Sequence, residues 1–171
     1  MRQFRIVGKI VVVAALAGAG CSEPSSPSAS APRLSTTATT SLVPCETQDA
    51  VSTRSTIDAA GGTIVLGGAT INIPPGALLG PTELSVTIPA TNARRVDIAA
   101  TGFEHFIFEQ PITVSLDYMR CSPGRIEAAP LAVWYVDDAG TLLERMPTLD
   151  DRSHKRVTFL TGHLSGYAIA N

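Results

Sequence analysis

The sequence predicts an all-β fold, an antiparallel β-sandwich of about eight or nine short strands, preceded by a signal peptide and a disordered tether. Three observations predict it. Short runs that alternate apolar and polar residues recur from about residue 50 to the end of the chain. Gly, Pro and Asp clusters separate those runs at regular spacing. Helical patterning is nearly missing: Ala93–Ala100 is the one stretch that could be a short helix, with Arg94 and Arg95 outward. A barrel is the alternative closure of the same strands. No internal repeat is apparent.

Residues 1–20 stand apart from the fold. Arg2, Arg5 and Lys9 form a basic start, and Ile10–Leu16 an apolar core. Such a run is too short to span a bilayer and suits a cleaved export signal. Ala17-Gly-Ala-Gly20 then leads into Cys21, which resembles the bacterial lipobox, although Gly18 stands where Leu is commoner. The resemblance implies that Cys21 is lipid-modified and becomes the mature N-terminus. Lipidation with two or more acyl chains would hold the chain stably at a membrane. Ser22 after that cysteine resembles outer-membrane sorting, which implies the periplasmic face or the cell surface. A plain signal peptide with an incidental cysteine is the other reading.

Residues 21–49 form the expected tether, rich in Ser, Thr, Pro and Ala from Ser22 to Pro44. Almost nothing there can be buried, so ordering it would cost more entropy than contacts return. A glycosylated stalk is an alternative for the same composition. Charge says little about partners. The leader holds three of the 13 basic residues and none of the 15 acids, leaving 10 against 15, or −5, beyond it. A mildly acidic domain without a basic patch argues against nucleic-acid binding.

Residues 50–171 form the expected sandwich. Ser52–Ile57 is its first strand, followed by the turn Asp58–Gly62. Thr63–Leu66 and Ala69–Ile73 alternate about Gly67-Gly68, which supplies the positive-φ positions of a tight hairpin. Pro74-Pro75 ends that pair, because neither proline donates a ladder hydrogen bond, and Gly76 turns the chain away. Leu84, Val86 and Ile88 then alternate with Ser85 and Thr87. Phe103–Phe108 and Ile112–Tyr118 read as two strands separated by Gln110-Pro111. Leu131–Val136 is apolar on both faces and reads as a central strand with Trp134 packed inside. Leu142–Met146 follows the turn at Asp137–Gly140, Asp150–Lys155 is a charged turn, and Val157–Leu160 and Gly166–Ala170 complete the chain.

Several of these segments together resemble the ZU-five domain of zonula-occludens proteins, netrin receptors and ankyrins, which has looser relatives in bacterial surface proteins. The matching segments are Gly61-Gly62 with Ile73-Pro-Pro-Gly-Ala77, then Leu84–Ile88, Phe106–Val114 and His163–Tyr167. The resemblance runs from about Ile57 to Tyr167 and implies a β-sandwich used mainly for protein–protein contact.

With Cys21 assigned to lipid, Cys45 and Cys121 remain. In an oxidising compartment two cysteines pair more often than they bind metal. Paired, they close a loop of 76 residues (121 − 45), worth roughly 4–5 kcal/mol on the chain-entropy model. Two free thiols, or a pairing with another molecule, are the alternatives. His105 reads as a strand residue among phenylalanines, and His154 as part of a solvated turn. Neither has the spaced partners of a metal site. Asp137-Asp138 and Asp150-Asp151 lack the spacing of a calcium loop. No metal, no cofactor and no catalytic constellation is expected.

The leading functional expectation is therefore a non-enzymatic binding or structural module of an outer-membrane lipoprotein, whose partner is a protein or glycan of the envelope. An accessory subunit of an envelope complex is one alternative. The other is a self-cleaving module at His163-Leu164-Ser165, which resembles the cut site of some ZU-five domains and of adhesion receptors. There the Ser165 hydroxyl would attack the Leu164 carbonyl with His163 as general base. The structural reading is that Leu160, His163 and Tyr167 enter and pack the closing strand, with Gly162 and Gly166 easing its bends.

Overall fold

The structure, a computed structural model, describes residues 40–171. The expected leader, Cys21 and most of the tether lie outside the described residues. Eleven strands and one short helix follow in order. They are β1 (Val51–Ile57), β2 (Gly62–Leu66), β3 (Ala69–Ile73), β4 (Thr82–Ile88), β5 (Arg95–Ala100), β6 (Ile107–Asp117), α1 (Pro123–Ala128), β7 (Ala132–Val136), β8 (Leu142–Arg145), β9 (Thr148–Asp151), β10 (Arg156–His163) and β11 (Gly166–Ala170). They form two antiparallel sheets, one of six strands ordered β1-β4-β5-β11-β7-β8 and one of five ordered β2-β3-β6-β10-β9. The all-β sandwich is the architecture expected.

Period-two alternation builds the core between the sheets. Leu84, Val86 and Ile88 of β4 face Ile71 of β3 and Ile112, Val114 and Leu116 of β6, all buried. The outward positions of the same strands are Ser85, Thr87, Thr70, Thr113 and Ser115. Gly67 and Gly68 both have positive φ, 49° and 80°, as a two-residue hairpin between twisted strands requires. Gly76 has φ 80° and donates its N–H to the Ala59 carbonyl at 2.8 Å. Cys45 and Cys121 form a disulfide.

Five expectations are corrected. Ala93–Ala100 is not helical: Val96, Ile98 and Ala100 alternate into the core and make β5 the partner of both β4 and β11. A helix of any length would set Ile98 about 200° around from Val96, whereas a strand puts all three on one face. Arg94 does not point outward but is 4 % exposed. The chain does not break at Gln110-Pro111. β6 runs through it, because the register against β10 shifts between Ile112↔Thr161 and Ile107↔His163. In that bulge the missing N–H of proline costs no ladder bond. Phe103–Phe106 with His105 is loop rather than strand. Trp134 does not enter the core; Val133 and Tyr135 do, and Trp134 sits half-buried on the outer face of the six-stranded sheet. An all-apolar run cannot announce which parity faces inward.

The folded unit also begins before residue 50. Val43 is fully buried and donates its N–H to the Ile169 carbonyl, while Ser41 and Asn171 exchange two backbone bonds. Leu42 and Val43 were hidden in Ser/Thr/Pro-rich surroundings.

Two glycines separate the cost of left-handed backbone from the cost of crowding. A Cβ at Gly76 would come within 3.0 Å only of the flexible Gln110 amide, whereas one at Gly68 would overlap the Asp117 carboxylate and the Arg94 guanidinium. Gly76→Ala should therefore lower stability by about 1–2 kcal/mol through φ alone. Gly68→Ala should cost more, about 3 kcal/mol. Urea unfolding of the two variants checks the order; equal losses would mean that the crowding at Gly68 relaxes freely.

Candidate functional site

The sandwich has two chemically different ends. At one, the near end, residues 40–45 join the fold, beside the disulfide, the β4–β5 loop and α1. At the other, the far end, five connections meet: β1–β2, β3–β4, β5–β6, β7–β8 and β10–β11. The registers Ile57↔Thr82, Leu84↔Ala100, Ile107↔His163 and Val136↔Gly166 bring them together.

A cleft of about 450 Å³ opens at this far end over the outer face of the six-stranded sheet. Its floor carries Ser85 and Thr87 of β4 and Asp97 of β5, all at outward positions, with Ser165 of the β10–β11 turn beside them. Phe103 and Glu104 form one wall, Asp137 and Asp138 the other. The Phe103 wall is rooted in the core by edge-to-face stacking. Phe103 meets Phe106 at 5.3 Å between centroids and Phe106 meets Phe108 at 5.2 Å, and Phe108 is buried. The Asp137 wall is a turn closed by its own side chain. Asp137 Oδ1 accepts the Thr141 N–H at 2.8 Å, and this bond, with others from the turn backbone, holds its carboxyl below the usual carboxylate range. Asp97 pairs with Arg95 at 2.7 Å, and Arg95 also reaches the Asp138 carbonyl at 3.3 Å.

This arrangement offers hydroxyls, carboxylates and an aromatic wall. Asp137 is committed to its turn and Asp97 to Arg95. Among the described residues, no group of three or more His, Cys, Asp and Glu side chains could hold a metal ion. The outward Ser85 and Thr87 were legible from alternation. Asp97 was masked by the helical reading, and Glu104 by the strand assigned to Phe103–Phe108.

His163 ends β10, and Leu164 and Ser165 make the turn into β11. Leu160 does not pack with them as expected: it stands at an outward position of β10 and is 58 % exposed. The His163 ring faces Tyr135 and Tyr167, at centroid distances of 5.6 and 6.1 Å. Its Nδ1 lies 3.3 Å from the Tyr167 hydroxyl, which donates to the His163 carbonyl at 2.8 Å. Backbone bonds fix the rest of the tripeptide: Leu164 N–H donates to Phe106 O at 3.2 Å, and Ser165 O accepts from Ile98 N–H at 2.9 Å. The imidazole is thus engaged with tyrosines rather than with the Ser165 hydroxyl. Tyr167 is fully buried and its hydroxyl lies 2.7 Å from Thr161 Oγ1. Burial pushes its phenol up to about 12.

At the near end a second cavity, of about 330 Å³, is lined by Arg94, Arg120, Asp117 and the disulfide. The Arg94 guanidinium donates to the Gly67 carbonyl at 2.5 Å and lies 3.7 Å from Asp117, and burial pulls its pKa down against the pull of Asp117. Of the charged turn expected at Asp150–Lys155, Asp150 and Asp151 instead end strand β9, paired with β10. Asp150 accepts the Tyr118 hydroxyl at 2.7 Å. Asp151 accepts from Ser153 and His154, and those bonds hold its carboxyl well below the usual range. His105 and His154 are exposed.

Two expected outcomes follow from this geometry. The raised phenol of Tyr167 means that the fold binds the neutral form. Its contribution is fully present below pH 10.0 and is lost as the pH rises through about 12. Tyr167→Phe should be less stable than the parent at pH 7 by about 1 kcal/mol yet lose less between those pH values, as read from urea midpoints. Intact mass under denaturing conditions should show an uncut domain, identical in behaviour to Ser165→Ala; a fragment ending at Leu164 that disappears in that variant would establish self-cleavage. No protein-family model matches the chain, and no curated protein matches it.

Proposed function

We propose that the chain is a non-enzymatic binding module of a bacterial outer-membrane lipoprotein, anchored through Cys21 and meeting its partner in the envelope with the far end of the sandwich. The observation that carries this reading is the separation of the two ends. The chain joins the sandwich beside Ser41 and the disulfide, whereas the open cleft and exposed aromatic wall lie at the opposite end. A tether leaving the near end would leave the far-end loops accessible, and loops on a rigid scaffold are where binding residues concentrate. The ZU-five resemblance supports contact with a macromolecule rather than catalysis. The Cys45–Cys121 bond suits an oxidising compartment outside the cytoplasm. The same surface would serve an accessory subunit of an envelope complex.

The test is site-directed photo-cross-linking in intact cells, with the cross-linker at Glu104 in one variant and at Lys155 in another. Glu104 should give a defined adduct in the outer-membrane fraction and Lys155 should not. Cys21→Ser should abolish the adduct and release the protein, or leave it unprocessed. Adducts from Lys155 alone, or none from either position, would overturn the reading.

A further inference from the structure

Resting on the reading of the far end as the binding end, we propose that its partner is a protein segment combining apolar side chains with Lys or Arg. The apolar half of this match is a groove of about 300 Å³ beside the cleft, lined by Leu79, Pro81, Phe103, Phe106 and Ile107. Leu79 is 87 % exposed, Ile107 77 % and Phe103 57 %. They come from three separate segments, the β3–β4 loop, the start of β6 and the β5–β6 loop, and the registers that close the far end bring them to one place. Scattered apolar residues on a surface need no explanation, whereas a cluster rimmed by charge marks an interaction site.

These loops are also held in place. Glu109 N–H donates to the Ala77 carbonyl at 3.0 Å, Thr101 N–H to Glu83 at 2.9 Å and Leu164 N–H to Phe106 at 3.2 Å. The phenylalanine ladder ties the tip to the core. A preorganised groove loses little entropy when it is filled.

Charge selects the occupant. The five far-end connections contain Asp58, Glu104, Asp137 and Asp138 and no Lys or Arg, and Glu83 and Glu109 flank the groove. Near-end connections instead hold Arg94, Arg120, Arg125, Arg152 and Lys155. Beside the cleft, Arg95 is already paired with Asp97 and bonded to Asp138, and Arg54 stands on β1 opposite Ser85. The groove and the loops around it thus carry carboxylates and no Lys or Arg of their own, a balance that draws cations inward and repels anions. An anionic bilayer or a nucleic acid would be repelled, and a neutral glycan would gain nothing from the field. An apolar segment with interspersed Lys or Arg satisfies both halves of the surface at once.

The test uses the purified full chain in detergent micelles, with empty micelles subtracted. The probe is a fluorescein-labelled synthetic peptide of alternating Leu and Lys, followed by anisotropy at low and high salt. Controls are a Leu–Glu peptide, a Ser–Lys peptide, and vesicles of zwitterionic or anionic phospholipid. The Leu–Lys peptide should bind, weaken as salt rises, and lose about tenfold in affinity in Phe103→Ser and in Ile107→Ser. Both residues are exposed, so the fold should survive, which circular dichroism checks. Glu104→Lys should weaken Leu–Lys and strengthen Leu–Glu binding. Equal binding of Leu–Glu, undiminished binding in the serine variants, preference for vesicles, or head-to-tail self-association seen by sedimentation would each overturn the proposal. A far-end cross-link in cells to a glycan or to an acidic chain would also overturn it, while leaving the binding role itself standing.

Discussion

The six-stranded sheet is closed by a strand that follows the others in sequence. β11 lies between β5 and β7, and all five of its residues are buried. Until residues 166–170 are in place, β5 and β7 each present an unpaired ladder edge, and the core lacks Tyr167 and Ile169. Tyr167 is the hub of that closure. Its ring packs on Phe159 of the opposite sheet at 4.9 Å, so one side chain joins β11 to the second layer while its backbone joins β5 to β7. Unpaired buried backbone groups are costly, and loop-closure entropy must be met before such non-local pairing returns anything. Sheet completion is thus tied to residues 166–170.

That constraint also explains the His163-Leu164-Ser165 turn. A chain cut there would keep β11 hydrogen-bonded on both sides, so cleavage would release nothing under native conditions. The side chains around the turn do a packing job. Tyr167 and Thr161 satisfy the His163 carbonyl, and His163 fills the space beside Tyr135. A histidine followed by Leu-Ser is consistent with a closing strand as well as with a nucleophile, and here the imidazole is turned toward phenols.

The two ends are built differently. The near end is covalently and ionically stitched: a disulfide, the exchange between Ser41 and Asn171, and the buried Arg94 under the Gly67-Gly68 turn. Desolvation alone would make a buried guanidinium costly, so the Gly67 carbonyl and Asp117 are there to offset it. The far end has no such covalent tie. Its loops are positioned by aromatic stacking and a few backbone bonds, which fixes their path yet leaves Leu79, Phe103 and Ile107 in solvent. Stability resides at one end and accessible chemistry at the other.

Local chemistry was readable in the sequence wherever one residue type had no substitute. Gly67-Gly68 had to turn, Pro74-Pro75-Gly76 had to stop a strand, and strict alternation in Leu84–Ile88 had to divide a core face from a solvent face. Class and layering follow from these. What only the tertiary structure decided is where a residue's other neighbours lie. Arg94 goes inward because a carbonyl and a carboxylate from the β2–β3 turn and β6 meet it there. Trp134 goes outward because Val133 and Tyr135 already fill the inner parity. Leu42 and Val43 fold because the end of β11 offers them a ladder. Phe103 reaches the surface because Phe106 and Phe108 form a stack beneath it. Periodicity and turn chemistry act over a few residues and are written in the sequence. Partner choice between segments dozens of residues apart is settled by burial and satisfied polar groups, which exist only once the chain is folded.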